Sequence, residues 1–197
     1  GILTNISFDI DEVGETQMGR WGKCKLLTVG FGHGIATTLL QLTKGYSIIS
    51  NGGFDVSPTL VQKDKYIKTK RILNENVSDK INPILRKIVS TKEGTAGFAN
   101  VKGYDIGGKT GTADIASAGG YSKKKINTFA SVFPTSNPKF VLVVMLDQPK
   151  ANQEFVYHYR DGRNPYKGNW RNTAGWTTVW TTGQIIEKIG PILATKY

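Results

Sequence analysis

Seven consecutive apolar residues, Phe140 to Leu146 in "KFVLVVMLDQP", set the first constraint on this fold. A strand exposed on one face alternates apolar and polar side chains, whereas a strand that is apolar at every position needs cover on both faces. The run is far too short for a membrane helix, and no other stretch of the chain approaches that length. It therefore predicts a strand inside a layered domain, with helices on the sheet. The segments before it complete the pattern. "KGYDIGGKTGTAD" and "INTFASVFPT" read as strands, separated by the polar loop "IASAGGYSKKK" and followed by the turn "SNPK", which is the rhythm of an antiparallel meander.

Periodicity locates the helices. Leu39, Leu42, Tyr46 and Ile49 recur at helical spacing, Thr37 or Thr38 can cap, and Gly52 and Gly53 stop the pattern, so a helix is expected from about residue 38 to 50. Ser78 is the expected cap of a second helix whose face is Ile81, Ile84, Leu85, Ile88 and Val89 and which ends at "TKEGTAG". "FDVSPTLVQK" reads as a short extended segment kept irregular by Pro58, and "TTVWTTGQIIEKIGPILA" as a final helix carrying Val179, Ile185, Ile186 and Ile189. At 197 residues the chain is one domain, and the expected class is α+β: an antiparallel sheet with helices packed on it.

Composition bears on partners. The chain has 26 Lys and Arg against 15 Asp and Glu, a net charge of +11, so its field favours anions. Cys24 is its one cysteine, which excludes an internal disulfide and any CxxC motif and reads as a small, partly buried side chain. His33 in "GFGHG" reads as structural, and His158 has no carboxylate and hydroxyl pattern around it. With Cys24 they are too dispersed for a metal spacing, so neither metal nor cofactor is expected. The run "YHYRDGRNPYKGNWRN" interleaves arginines with aromatic rings, as single-stranded nucleic acid binding requires, and a basic nucleic-acid-binding module is the rival reading. The competing one, a long loop before the final helix, implies no nucleic acid partner. The N-terminus lacks the order of a signal peptide, and "GILTNISFDIDEVGE" reads like the middle of a polypeptide.

The stretch Gly103 to Asp114, "GYDIGGKTGTAD", holds four glycines, two hydroxyls and a lysine. Glycine in a strand marks a bulge, a bend or the close approach of another backbone. Lys109 brings a compact cation and Thr110 a hydroxyl, a pair suited to a carboxylate, while Gly111 leaves room for an extended peptide to add as a strand. On a strand, Lys109 and Gly111 face one side and Thr110 the other. Lys-Thr-Gly alone is weak, since so short a pattern recurs by chance.

Its context is specific. "GYDIGGKTGTAD", preceded by "GFGHGIATTLLQLTKGYSIISNGG" and followed by "TFASVFPTSNPKFVLVVMLDQPK", resembles the transpeptidase domain of class B penicillin-binding proteins, the division-specific type above all. The likeness covers about residues 21–150 and resumes at "NTAGWTTVWTTGQIIEKIGPIL"; residues 151–172 read as a loop insertion and 173–197 as the C-terminal helix. The resemblance implies the β-lactamase/transpeptidase-like fold and a peptidoglycan DD-transpeptidase working through an acyl-serine. In that family a serine in SxxK attacks the D-Ala-D-Ala bond of a stem peptide, and β-lactams acylate the same serine. Lys109 and Thr110 match residues that hold the substrate carboxylate and help proton transfer, and Thr112 matches a backbone N–H that is half of the oxyanion hole. The resemblance also implies divisome membrane proteins as partners. It further implies a parent protein on the periplasmic face of the inner membrane, held by one N-terminal anchor.

The departures are as informative. No SxN occurs in the chain, and its two SxxK strings, Ser122 to Lys125 and Ser136 to Lys139, lie in a polar loop and in a turn containing Pro138. A nucleophile and its base need the rigid first turn of a buried helix. The expectation is a C-terminal part of a transpeptidase domain that lacks the acylating serine and is inactive alone. The alternative is a half-domain that scaffolds partners without catalysis.

Overall fold

The computed structural model describes residues 17–18, 20–30, 32, 34–61, 69–117, 120–168 and 171–196. Short elements come first: β1 (Gln17–Met18) pairs with β2 (Ile35–Ala36), and α1 (Lys25–Gly30) lies between them. Then follow α2 (Leu39–Ser50), α3 (Asn76–Ser90), β3 (Gly107–Ser117), β4 (Gly120–Phe133) and β5 (Phe140–Asp147). A small hairpin of β6 (Val156–Tyr157) and β7 (Tyr166–Lys167) precedes α4 (Thr178–Lys196), and residues 173–177 form the turn leading into it. The meander is present as β3-β4-β5, antiparallel throughout, with β3 at one edge. The α+β class holds.

Register assigns the two faces of the sheet. Phe129 opposes Val144, Ser131 opposes Leu142 and Phe133 opposes Phe140, so these share one face. There Phe129 and Phe133 pack with Ile106, Val179 and Ile186, the last two from α4, and Phe140, Leu142 and Leu193 lie against that cluster. The other face meets α2 and α3. Cover on β5 is incomplete, contrary to expectation: residues 140–144 are half-buried and Met145 is 43% exposed.

Several local expectations change. "IASAGGYSKKK" is largely strand, because β3 and β4 extend as a solvated hairpin in which Ala116 opposes Tyr121 and Lys125 pairs with Asp114 at 2.6 Å. A two-sided polar hairpin has no apolar alternation to reveal it. In α2, Thr38 makes a capping box: it accepts from the Gln41 N–H at 3.1 Å, and the Gln41 side chain accepts from the Thr38 N–H at 2.9 Å. The buried face of α2 is Gln41, Gly45 and Ile48, while Leu39 stays exposed. Ser78 does not cap α3. It lies inside the helix, buried, accepting from the Gly52 N–H at 2.8 Å and donating to the Ile49 carbonyl at 2.5 Å, while Asn82 donates to the Ser50 carbonyl. Its hydroxyl thus closes the end of α2 rather than the start of α3. On α3, Leu85 and Val89 are buried but Ile84 is 54% exposed. Cys24, in the turn before α1, is exposed rather than partly buried. His33 and residues 62–68 lie outside the described residues.

Two of the motif glycines are explained by packing within the domain. A Cβ on Gly107 would stand 2.5 Å from Thr135 Cγ2 and 2.8 Å from the Arg86 nitrogen of α3; one on Gly108 would stand 2.5 Å from the Ala130 oxygen and 2.6 Å from the Phe129 ring. At Gly111 the nearest atom would be 3.9 Å away, on Thr128. The bareness of this strand therefore has two causes, and of Gly107, Gly108 and Gly111 only Gly111 would admit a Cβ at ordinary contact distance.

The strand is positioned by one polar junction. Asp105, at φ 45°, precedes β3 and accepts from the Thr135 hydroxyl at 2.8 Å and the Ser136 N–H at 2.9 Å, both in the β4–β5 turn. Arg86 of α3 lies 3.1 Å from the same carboxylate and donates to the Ile106 carbonyl at 2.7 Å and to Asn100 Oδ1 at 3.0 Å. Burial pushes the Asp105 carboxyl up, but the hydrogen bonds from Ser136 and Thr135 and the Arg86 charge outweigh it and hold the group below its ordinary value.

A group whose folded pKa is depressed adds stability above its unfolded pKa and loses it as pH falls through the folded value. Asp105→Asn is therefore expected to lower stability by about 1–2 kcal/mol near neutral pH, and by progressively less in acid below about pH 4, in urea unfolding followed across pH. Gly108→Ala is expected to cost about 1–3 kcal/mol through overpacking against Phe129, and Gly111→Ala under about 1 kcal/mol, in thermal unfolding monitored by circular dichroism.

Candidate active site

At the edge of the sheet, β3 presents Lys109, Thr110, Gly111 and Thr112 in succession. Their opposites on β4 are Ala130, Phe129, Thr128 and Asn127, so Lys109 and Gly111 share one face and Thr110 and Thr112 the other. Lys109 is exposed, and its Nζ donates to the Thr110 carbonyl at 2.7 Å. The Thr110 hydroxyl is 3.2 Å from the hydroxyl of Thr95. Thr112 Oγ1 accepts from the Ala174 N–H at 3.0 Å, and its neighbour across the sheet, Asn127, donates to the Asn172 carbonyl at 2.6 Å and to Thr177 Oγ1 at 2.7 Å. These bonds fasten the turn before α4 to the middle of the sheet.

Fastening that turn leaves a cleft of about 340 Å³ on the Thr110 side of β3. The loop after α3 forms a second wall with Lys92 and Thr95, and Tyr159, Arg163 and Trp176 form a third. Threonine hydroxyls and two cations line it, and no carboxylate, histidine, cysteine or serine does so among the described residues. Such a surface suits an anion or a hydrogen-bonding peptide. Lys109 is not part of this lining, so the cation of the motif and its threonine hydroxyls lie on opposite faces of the strand.

Sequence reasoning missed Thr95 and Arg163. Thr95 stands in "EGTAG", which signals only the end of a helix, and the hydroxyl contact with Thr110 depends on tertiary packing. Arg163 follows Asp161 and Gly162, and Gly162 has φ 78°; that Asp-Gly-Arg turn was a local signal that the arginine is directed rather than loose. Arg163 Nε lies 2.7 Å from Asp161 Oδ2, and its guanidinium stacks 4.0 Å above the Tyr159 ring. Hydrogen bonding from Arg163 holds the Asp161 carboxyl below the usual carboxylate range.

The aromatic tail is used for packing. Phe98 stacks on Tyr159 at 4.2 Å and meets Tyr157 at 5.2 Å and Trp176 at 5.3 Å. Rings that read from sequence as a stacking platform thus form the wall behind the cleft, and burial pushes the Tyr157 phenol up. Neither SxxK string lies on a helix. Ser122 is on β4, not in a loop, and its Oγ accepts from the Lys124 N–H at 3.2 Å, while Ser136 belongs to the turn held by Asp105. His158 is exposed. Among the described residues, no group of three or more His, Cys, Asp or Glu is placed to hold a metal, and no helix is long and apolar enough to cross a membrane.

Comparison with known proteins gives this geometry a lineage. The family model described as penicillin binding protein transpeptidase domain matches residues 1–165. The "Probable peptidoglycan D,D-transpeptidase FtsI" of Caulobacter vibrioides is 29% identical over 189 residues, covering 90% of this chain and 30% of the relative. The transpeptidase domain of Burkholderia pseudomallei penicillin-binding protein 3 superposes with a TM-score of 0.71 at 22% identity, over 90% of this chain and 50% of that one. Penicillin-binding protein 3 of Mycobacterium tuberculosis, solved in complex with ampicillin, gives 0.65 at 25% identity, over 87% and 39%. The chain thus spans about a third of the curated relative's length and half of the solved domain's. Family match and shared architecture agree, and the chain belongs to the penicillin-binding protein transpeptidase domain family.

Proposed function

We propose that β3 is the substrate-binding strand of a peptidoglycan DD-transpeptidase working in septal crosslinking. The observation that carries the reading is Gly111: an edge-strand position where even a Cβ would come no closer than 3.9 Å to its neighbours, flanked by the Lys109 cation and by the hydroxyls of Thr110 and Thr112. An extended peptide ending in D-Ala-D-Ala lies along this edge by strand addition, and its terminal carboxylate is held by Lys109 and Thr110. The Thr112 N–H donates to the oxyanion that develops at the scissile carbonyl, where a fixed donor is most effective.

The attacking serine comes from SxxK outside this sequence, as does SxN. Both local SxxK strings lie on extended or turn backbone, which cannot set a lysine one helical turn from the serine. β-Lactams, one of which occupies the Mycobacterium tuberculosis relative, engage the same strand. The parent enzyme is anchored in the inner membrane, faces the periplasm and works with divisome membrane proteins. Within it this chain is the C-terminal part of the catalytic domain, with about residues 21–150 carrying the strongest family likeness, 151–172 as an inserted loop and 173–197 as the closing helix segment.

Incubated alone with a labelled penicillin, the 197-residue chain is expected to show no covalent adduct by intact-protein mass spectrometry. A stoichiometric adduct overturns the assignment of the nucleophile. In a titration with an acyl-D-Ala-D-Ala peptide, Lys109→Ala is expected to weaken binding about 10- to 100-fold, the cost of one charge-assisted hydrogen bond. Unchanged affinity overturns the role of Lys109.

A further inference from the structure

Register fixes where the backbone of Thr112 points. The Gln148 N–H donates to the Lys125 carbonyl at 2.8 Å, and Ile126 opposes Asp147, so Lys125 and every second residue after it on β4 turn their backbone groups to β5. Asn127 is one of these. Thr112, its opposite on β3, therefore directs its N–H away from β4, off the edge that is free among the described residues. An oxyanion donor needs that direction, yet no ladder bond holds this N–H, and the residue before it is glycine. We infer that Asn127 is a positioning residue, which fixes the Thr112 N–H for the oxyanion by way of the turn before α4. This role rests on the proposed function of β3.

The link runs through three short bonds. Asn127 is fully buried, and its Nδ2 donates to the Asn172 carbonyl at 2.6 Å and to Thr177 Oγ1 at 2.7 Å. Between those two points lies Ala174, also fully buried, whose N–H donates to Thr112 Oγ1 at 3.0 Å. The Thr177 hydroxyl in turn donates to the Thr173 carbonyl at 3.1 Å, and the Val179 N–H to the Ala174 carbonyl at 3.0 Å, so the turn is closed on itself. One side-chain amide thus sets the place of the turn, and the turn grips the side chain of the residue whose N–H must be aimed.

The chemistry of Asn127 points to this role rather than to packing alone. Its Oδ1 is buried and finds no donor among the described residues, a cost that an apolar side chain of similar size avoids. Turning the amide over would set that oxygen against the Asn172 carbonyl, so the amide has one orientation. Without its two bonds the turn is free to shift, and Thr112 shifts with it. A donor displaced by a small distance no longer meets the charge that develops in the transition state, whereas a ground-state ligand still reaches Lys109 and Thr110.

The test is acylation of the full-length parent enzyme by a labelled penicillin, resolved into non-covalent affinity and first-order acylation rate. Asn127→Leu, which keeps the volume and removes both donor bonds, is expected to lower the rate about 10- to 100-fold and to leave the affinity within about twofold. Thr112→Val keeps the backbone N–H, removes the acceptor, and is expected to do the same; Thr112→Ser, which keeps the acceptor, is expected to recover most of the loss. The double variant Asn127→Leu, Thr112→Val is expected to be no slower than the slower single one, because both cut the same link. Thr112 is exposed, so Thr112→Val against Thr112→Ser tests that link where thermal unfolding shows that Asn127→Leu does not fold. An unchanged rate in Asn127→Leu or Thr112→Val, equal losses of rate and affinity, or multiplying effects in the double variant overturn the inference and leave the reading of β3 intact. A wild-type parent enzyme that penicillin does not acylate overturns that reading.

Discussion

The junction of Arg86 with Asp105 holds the structure's functional edge in place. Asp105 stands two residues before β3 and binds the turn that joins β4 to β5, while Arg86 reaches it from α3 and also holds the Ile106 carbonyl. One carboxylate therefore fixes a helix, the start of the motif strand and the far end of its sheet neighbour. A partly exposed ion pair alone contributes little in water. Here the pair works with three hydrogen bonds to groups that have no partner in the sheet ladder, and the cost of breaking it is the cost of leaving those groups unsatisfied. The positive φ of Asp105 belongs to the same arrangement, since the chain must turn sharply to enter β3 with its carboxylate directed backwards.

Once that start is fixed, the glycines settle how closely the layers approach. Gly107 lets the backbone of α3 come against the strand, and Gly108 lets the Phe129 ring lie beneath it. The edge strand is held from behind by helix and from below by ring, so its free edge is a rigid template. A binding strand benefits from this rigidity, because a peptide that adds to a preformed edge loses less free energy to ordering the protein.

Much of this was legible in the sequence, and the misses share a cause. The meander, a helix cap at Thr37 or Thr38 and the buried pair Leu85 and Val89 follow from local periodicity and capping chemistry, which act over a few residues. The lengthened β3–β4 hairpin was read as a loop because its stability comes from cross-strand pairing and the Lys125–Asp114 contact, neither of which leaves an apolar pattern. Ser78 looked like a cap because its chemistry is the same whether it closes its own helix or, as here, the end of another. The motif Lys109 to Thr112 was visible as a motif, whereas the hydroxyl contact of Thr110 with Thr95 and the place of Arg163 depend on three loops meeting in space. Ile84 and Met145 show the converse: their apolar character predicted burial, yet both are exposed in this chain.

The loops around the strand suggest how specificity is added to a fixed binding edge. The turn before α4 is pinned to the sheet by Thr112 and Asn127, so whatever that connection carries is delivered to the same place beside β3. Its preceding segment anchors through Phe98 and Tyr159, and Arg163 rides on that anchor. A loop fastened at both ends can change its exposed residues without disturbing the strand, which is why rigid scaffolds place recognition on loops. The proposed role of β3 asks only for a carboxylate site and an edge from the strand, and leaves the exposed residues of the fastened loop free to vary.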